Sequence, residues 1–133
     1  MPKYPYFIPE ANVYKPILPV ILNFQKTHRI TNQIPALVDS GADVCFCHED
    51  IANWLGSMDQ KTKEHKEFTT ANNEKFIAYK ENISILVCGK QYDCPFYISK
   101  ELPRQTPIIL GQLGFFDHFK VIFDLANKEI EII

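Results

Sequence analysis

One carboxylate in this sequence stands where an apolar segment gives way to small, turn-forming residues. Asp39 follows the apolar residues 34–38 directly and precedes Ser40, Gly41 and Ala42. A carboxylate at the end of a buried strand is costly unless it is hydrogen-bonded or neutralised. Glycine permits a tight turn that aims backbone N–H groups at the carboxylate, and a serine hydroxyl can brace the loop. Taken alone, the tripeptide is more simply explained as an ordinary strand-ending turn.

A second segment, residues 106–124, has a related arrangement. Its apolar residues Ile109 and Leu110 meet Gly111, and a short run with apolar side chains at helical spacing follows. This spacing predicts a helix over residues 112–119.

Together the two segments resemble the motifs of the retropepsin family of aspartic proteases. In that family an Asp-Thr/Ser-Gly loop carries the catalytic aspartate, and a later apolar-apolar-Gly strand threads behind it in a ψ-shaped crossing. Residues 39–41 match the first motif and residues 109–111 match the second. The resemblance implies that Asp39 is catalytic, that residues 40–42 form the active-site loop and that residues 109–111 form the ψ-loop.

The resemblance covers most of the chain. It extends from Phe24 to Asp124 with the motifs in the correct order and spacing. The stretch from Leu110 to Asp117 is similar to retropepsin-like sequences of cellular rather than viral origin. The implied fold is all-β: a retropepsin-like closed β-barrel with one or two short helices and one lobe per chain.

The resemblance also implies a homodimer. Aspartic proteolysis uses two carboxylates that share one proton, since like charges ~3 Å apart cannot both ionise. Asp39 is the one aspartate followed by Ser-Gly, and 133 residues are too few for a two-lobed arrangement. Two copies of Asp39 should therefore meet at a two-fold axis, with Ser40 bracing the two loops. In retroviral relatives the chain ends interleave at the interface, a role that residues 4–8 or 130–133 would have here.

Between the two motifs the family places its flap, a hairpin that closes over bound peptide. Residues 68–79 occupy this position, and a plain surface hairpin is the alternative. The predicted tip, a candidate substrate contact, consists of Thr70, Ala71, Asn72 and Asn73.

Two features depart from the family pattern. Viral flaps are glycine-rich, whereas residues 68–79 contain no glycine, which predicts a stiffer or differently shaped cover. Retroviral members commonly carry arginine directly after the second-motif glycine and use it in dimer contacts. This chain has Gln112 at that position.

The elements that must position these residues are mostly strands. Period-2 alternation of apolar side chains and β-branched composition predict many short strands separated by turns. The clearest candidates are residues 16–24, 34–38, 83–87, 96–98, 121–123 and 130–133.

A short helix is predicted directly after the first motif. Glu49 and Asp50 suit its first turn, and Gly56 stands where a helix-ending glycine belongs. Ile51, Trp54 and Leu55 share one face, and Trp54 is interpreted as a core residue. The phenylalanines of the second predicted helix, Phe115, Phe116 and Phe119, are also interpreted as core.

The cysteines allow a different chemistry. Cys45, Cys47 and His48 lie close together, but structural zinc sites usually present C-x₂₋₄-C pairs on tight knuckles. On a strand, Cys45 and Cys47 point to one face, where cysteine commonly packs as a small hydrophobe. No metal or other cofactor is therefore predicted. A disulfide between Cys88 and Cys94 depends on a hairpin geometry that the sequence leaves open.

Composition indicates an ordinary globular domain. The chain has 14 basic and 16 acidic residues, a net charge of −2, and no basic stripe of the kind that binds nucleic acid. It lacks an apolar run of ~20 residues and a secretory pattern at its start, so no membrane association and a cytoplasmic location are expected. Residues 1–12, rich in proline, are predicted as an extended arm and residues 13–133 as the protease domain.

Three functions follow from these observations. The leading hypothesis is a homodimeric aspartic endopeptidase that hydrolyses peptide bonds of peptide or protein substrates. The second is a retropepsin-fold dimer that binds peptides or proteins without cleaving them, suggested by Gln112 and the flap without glycine. The third is a zinc-stabilised domain built on the cysteines.

Overall fold

The structure is a computed structural model that describes residues 2–57 and 63–133. These residues form thirteen β-strands and one α-helix. In chain order they are β1 (Lys3–Pro5), β2 (Phe7–Glu10), β3 (Val13–Lys15), β4 (Ile17–Phe24), β5 (Arg29–Ile30), β6 (Ile34–Val38), β7 (Cys45–His48), α1 (Glu49–Leu55), β8 (His65–Thr69), β9 (Lys75–Val87), β10 (Lys90–Ser99), β11 (Ile108–Leu110), β12 (Val121–Asp124) and β13 (Glu129–Ile132).

Six of the strands close on themselves as a β-barrel. The largest sheet has the order β5-β4-β6-β11-β7-β10-β9-β8, and β4 pairs with β9 as well. That additional antiparallel pairing joins the two ends of the series β4-β6-β11-β7-β10-β9. Closure leaves these six strands without free edges. The predicted all-β class and closed barrel are confirmed.

Alternate residues of the barrel strands fill its interior. On β4 the inward side chains are almost completely buried, whereas those between them are partly or fully exposed. Burying one such leucine or valine stabilises the fold by about 1.5–3 kcal/mol. The inward side chains of β4 and of the second half of β9 are Leu18, Val20, Leu22, Phe24, Ile83, Ile85 and Val87. The alternation predicted for residues 83–87 is therefore present, and the apolar run of residues 16–24 also forms a strand.

The order of the strands contains a crossing. The strands β6 and β7 follow each other in the chain, yet β11 lies between them. It runs parallel to β6, where Leu110 is opposite Val38, and antiparallel to β7, where Ile109 is opposite Phe46. The residues just after β11 are consequently placed against the loop that connects β6 to β7.

Helix α1 has the predicted position, but one of its core residues was assigned wrongly. His48 caps its first turn by accepting a hydrogen bond from the Asp50 N–H, and Gly56 ends it with a φ of 95°. Leu55 is fully buried, whereas Trp54 is 54% exposed. A helix of seven residues buries few side chains, here Ala52 and Leu55, and Trp54 lies outside the buried face. The expectation that Trp54 belongs to the core is wrong.

The second predicted helix is absent from the described chain: residues 112–118 form a bridge and successive turns. Gly114 has a φ of 112°, and its N–H donates to the Asp117 carboxylate, which interrupts helical geometry. Leu113 is held in a bridge to Val44 and remains exposed. Phe115 is fully buried, as expected for a core residue. No helix among the described residues is long and apolar enough to cross a membrane.

The ends of the chain pair with each other. Strand β1 runs antiparallel to β13, and with β12 they form a three-stranded sheet in the order β1-β13-β12. Strands β2 and β3 form a separate hairpin. The proline-rich start of the chain is thus strand-paired within one chain.

Candidate active site

Asp39 lies at the end of β6, where the chain leaves the barrel. It is half-buried, and its backbone N–H donates to the carbonyl of Leu110 at 2.9 Å. Its carboxylate oxygen Oδ1 accepts a hydrogen bond from the Gly41 N–H at 2.9 Å. The Ala42 N–H donates to the Asp39 carbonyl at 3.2 Å. The loop is therefore a tight turn wrapped around one oxygen of the carboxylate.

Gly111 is packed directly against this loop. A Cβ atom at this position would lie 2.2 Å from the carbonyl oxygen of Val44 and 2.7 Å from that of Ala42. Backbone atoms cannot give way as the end of a flexible side chain can. The Gly111 N–H is directed at the sulfur of Cys45, at 3.4 Å. The crossing of the two segments thus requires glycine at position 111.

Residues after Gly111 continue the contact with the loop. The Gln112 N–H donates to the Ala42 carbonyl at 2.8 Å, and the Leu113 N–H donates to the Asp43 carbonyl at 3.0 Å. The side chain of Gln112 turns back and donates from Nε2 to the carbonyl of Ser40. The side chain of Ser40 is exposed and has no hydrogen-bond partner among residues 2–57 and 63–133.

A groove of about 400 Å³ runs over the Asp39 loop. Its walls come from the loop, from the hairpin β8–β9, from β11 and from the segment after β10. The residues that line it are Asp39, Gly41, Ala42, Asp43, Phe46, Phe68, Thr69, Thr70, Glu74, Lys75, Phe76, Glu101, Leu102, Pro103 and Ile109. The groove therefore joins the first motif, one ψ-loop residue and the region in which a flap was predicted.

The predicted flap region is a hairpin whose tip lies at residues 70–74. The Thr70 N–H donates to the Glu74 carbonyl at 2.8 Å, and Asn73 turns the chain with a φ of 62°. Thr70 lines the groove, whereas Ala71, Asn72 and Asn73 are exposed at the tip. Asparagine tolerates this left-handed conformation better than most residues, so the turn forms without glycine.

An aromatic cluster connects the hairpin to the barrel. Phe68 and Phe76 are opposite each other on β8 and β9, with ring centroids 5.6 Å apart. Phe68 also makes edge contacts with Phe46 at 4.9 Å and with Tyr97 at 5.1 Å. Sequence reasoning missed this cluster, although two phenylalanines that flank the predicted tip, two residues before it and three after it, were a usable signal.

Carboxylates outnumber cationic groups along the groove. Asp39, Asp43, Glu74 and Glu101 line it together with one lysine, Lys75. The Lys75 ammonium lies 3.6 Å from Glu67, outside the groove lining. Glu101 belongs to a loop segment, residues 101–103, that no sequence motif indicated. Its place in the groove depends on the path of the loop between β10 and β11.

The four cysteines are free thiols, and Cys45 and Cys94 lie against the segment that follows β11. Cys45, Cys47 and Cys94 are buried, and Cys88 is partly buried. The hydrogen bond from the Cys94 thiol to Cys45 lowers the pKa of Cys45 and raises that of Cys94. Burial raises the pKa of Cys47 to about 12. No group of three or more His, Cys, Asp or Glu side chains suited to a metal is found in residues 2–57 and 63–133. The described residues thus lend no support to the zinc-stabilised domain.

Comparison with solved structures identifies the fold. The crystal structure of a retropepsin-like aspartic protease from Rickettsia conorii aligns with this chain at a TM-score of 0.65 and 17% sequence identity. The alignment covers 100% of this chain and 99% of the other. No protein-family model and no curated protein matches the chain by sequence. At this identity the likeness shows the fold, which is retropepsin-like.

Proposed function

We propose that the protein is an aspartic endopeptidase in which two chains each contribute Asp39 to one catalytic dyad. The observation that carries the proposal is the placement of the Asp39 carboxylate, held by the Gly41 N–H, at the floor of a groove between the ψ-crossing and a hairpin cover. The retropepsin-like fold supports it, because the aligned Rickettsia structure is described as an aspartic protease. Fold alone does not establish chemistry, so the proposal depends on the geometry of the site.

The proposed reaction needs both carboxylates in different protonation states. The ionised Asp39 takes a proton from water as the water oxygen attacks the scissile carbonyl carbon. The protonated Asp39 of the second chain gives its proton to the carbonyl oxygen, which yields a tetrahedral diol. The second Asp39, now ionised, then takes a proton from one hydroxyl of the diol. The first Asp39, now protonated, gives its proton to the amide nitrogen, and the C–N bond breaks. The dyad ends with one shared proton, as it began.

Surface features favour a second copy near Asp39. The Ser40 side chain is exposed beside the carboxylate and free to meet an equivalent loop. Leu113, which is 59% exposed, is held next to the Asp39 loop because its N–H donates to the Asp43 carbonyl. A two-fold arrangement that brings the two Asp39 loops together would cover part of this surface.

The proposed substrate is an extended segment of a polypeptide. The groove lies between the Asp39 loop and the hairpin β8–β9, and its apolar lining includes Phe46, Phe76 and Ile109. Such walls suit the apolar side chains of a substrate, while the hairpin β8–β9 supplies strand edges for its backbone. Thr70 and Glu74 stand where the tip of the hairpin meets the groove.

The decisive test compares two aspartate substitutions. Asp39→Asn should abolish cleavage of an unstructured protein such as casein, because the amide cannot serve as base or share the proton. Asp93→Asn is the matched control: Asp93 is exposed on β10 and lies outside the groove lining, so its loss should leave the rate unchanged. Both variants should retain the far-ultraviolet circular dichroism of the wild type.

Mixing experiments test the dimer. Adding excess Asp39→Asn protein to the wild type should reduce activity toward zero as subunits exchange, because each mixed dimer has half a dyad. Specific activity of the wild type should also rise with protomer concentration. Undiminished cleavage by the Asp39→Asn variant would refute the assignment. A wild type that binds peptides without any turnover would instead favour the non-catalytic binding module.

A further inference from the structure

The side chain of Gln112 reaches a peptide unit that also contacts the proposed catalytic carboxylate. Its Nε2 atom donates to the carbonyl oxygen of Ser40. That carbonyl and the N–H of Gly41 belong to the same peptide bond, and the N–H donates to Asp39 Oδ1 at 2.9 Å. One side-chain amide is therefore connected to the carboxylate through a single peptide unit.

Gln112 is itself held firmly at its backbone. Its N–H donates to the Ala42 carbonyl at 2.8 Å, and the next residue, Leu113, donates to the Asp43 carbonyl at 3.0 Å. Among the described residues, no other group donates to the Ser40 carbonyl. The side chain thus supplies the one hydrogen bond to this carbonyl, and it does so from an anchored starting point.

We propose that Gln112 is a positioning residue for Asp39 that acts through the Ser40–Gly41 peptide; this rests on the proposed catalytic function of Asp39. The peptide unit is planar, so a hydrogen bond that fixes the direction of its carbonyl also fixes the opposite direction of its N–H. Hydrogen bonds in such a chain polarise one another, which strengthens each by roughly 10–30%. The Gly41 N–H becomes both a better-aimed and a stronger donor to Asp39.

The consequence for catalysis is a bias in protonation. A hydrogen bond donated to a carboxylate favours its ionised form. Weakening the Gly41 donor should therefore move the acid limb of the kcat/KM profile to higher pH. The other charged groups that face Asp39 along the groove are Asp43, Glu74, Lys75 and Glu101, together with the second Asp39 of the proposed dimer. A neutral substitution at position 112 leaves all of these charges in place. It therefore tests only the relay, by which we mean the path from the Gln112 amide through the Ser40–Gly41 peptide to the Asp39 carboxylate.

The first experiment measures kinetics of two substitutions across pH. Gln112→Met keeps the length of the side chain but removes the donor. It should lower kcat about three- to tenfold, the effect of one neutral hydrogen bond, with little change in KM. Its acid limb should move up by a few tenths of a pH unit. Gln112→Arg keeps an N–H donor within reach of the Ser40 carbonyl and should not move the limb upward.

The matched control is another glutamine whose side-chain amide binds a single acceptor. Gln91 donates from Nε2 to the Ser84 hydroxyl at 3.1 Å, away from the groove. Gln91→Met should leave both kcat and the pH profile unchanged. If activity lost in Gln112→Met returned at higher protomer concentration, Gln112 would be a dimer contact only, and the relay would be wrong.

The second experiment does not depend on activity. The amide resonance of Gly41 should report the strength of its hydrogen bond, and in Gln112→Met its proton should move upfield relative to the wild type. If the wild type cleaves peptides and the Gly41 resonance is the same in Gln112→Met as in the wild type, the positioning role of Gln112 is wrong and the proposed function stands. If the Gly41 resonance shifts in Gln112→Met but the wild type shows no peptidase activity, the relay stands and the proposed function is wrong.

Discussion

The floor and the cover of the groove are held in opposite ways. The floor, formed by residues 39–42, is bound by backbone hydrogen bonds to the segment that crosses behind it. The cover, the hairpin β8–β9, stands at the end of the sheet, and β8 pairs with no described strand besides β9. Four of the five side chains of β8 are exposed, and the fifth, Phe68, is partly buried.

For the proposed protease, this difference would separate a rigid catalytic floor from a cover that gives access to it. A catalytic carboxylate must be kept in position to within fractions of an ångström, which backbone hydrogen bonds and close packing provide. A cover must admit and release a chain, and segments with few buried contacts open at low free-energy cost. The cover continues into the barrel through β9, and packing of Phe68 on Phe46 and Tyr97 holds its other strand, β8, against the barrel.

The largest effect is expected from disturbing the floor at its crossing point. In Gly111→Ala the new methyl group would lie 2.2 Å from a backbone oxygen, so the two segments must separate. We expect the free energy of unfolding to fall by more than about 4 kcal/mol, with loss of activity. Urea denaturation followed by circular dichroism, alongside a cleavage assay, measures both.

Gly89→Ala is the control for this substitution. Gly89 has a φ of 76° but open space around its Cβ position, so the cost should be the conformational one, about 1–2 kcal/mol. Its turn between β9 and β10 is remote from the groove lining, and activity should persist. Equal destabilisation by the two alanines would show that the crossing is not tightly packed.

A smaller effect is expected from loosening the cover. Phe68→Ala removes the ring that contacts Phe46, Phe76 and Tyr97, which should lower stability by about 2 kcal/mol for a partly buried aromatic residue. Because the hairpin then closes poorly over the substrate, KM should rise more than kcat falls. Ile77→Ala, on the same hairpin but 62% exposed, should change stability by less than about 0.5 kcal/mol. A KM effect of equal size in both variants would contradict a special role for the cluster.

The smallest effect concerns the base of the cover, where Glu81 of β9 is buried. Burial raises the pKa of Glu81, but hydrogen bonds and charge interactions with Lys63, the Ser57 hydroxyl and Lys26 outweigh it, so the pKa lies below its ordinary value of 4.5. The Lys63 ammonium is 2.8 Å from the carboxylate. A lowered pKa in the folded state stabilises the protein above the unfolded value, and that stabilisation is lost as the pH falls through the folded value.

We therefore expect Glu81→Gln to cost about 1 kcal/mol at neutral pH, since a charged hydrogen bond is replaced by a neutral one. The difference from the wild type should shrink as the pH falls below 4.5, because the wild-type carboxylate then becomes protonated. Thermal unfolding of both proteins between neutral and acidic pH measures the difference. A gap that stayed constant with pH would show that the charge of Glu81 makes no contribution.

Much of the barrel was predictable because local patterns report burial directly. The apolar run of residues 16–24 and the alternation of residues 83–87 predicted strands, and both segments are strands in the structure. Gly56 correctly marked the end of α1. Residues 112–119 misled because their apolar spacing is helical, yet Gly114 and the bridge from Leu113 to Val44 impose turns. Spacing records which side chains are apolar and does not record which backbone groups already have distant partners.

By itself, the sequence determined that Asp39 ends an apolar strand within a turn of small residues, and that an apolar-apolar-glycine segment follows some seventy residues later. The tertiary structure decided that these segments cross, that Gln112 binds the Ser40 carbonyl and that Glu101 and Phe68 share the groove with Asp39. The reason is physical: turn propensity and periodicity act within a few residues of the chain. Contacts across seventy residues depend on how the strands are ordered when the barrel closes.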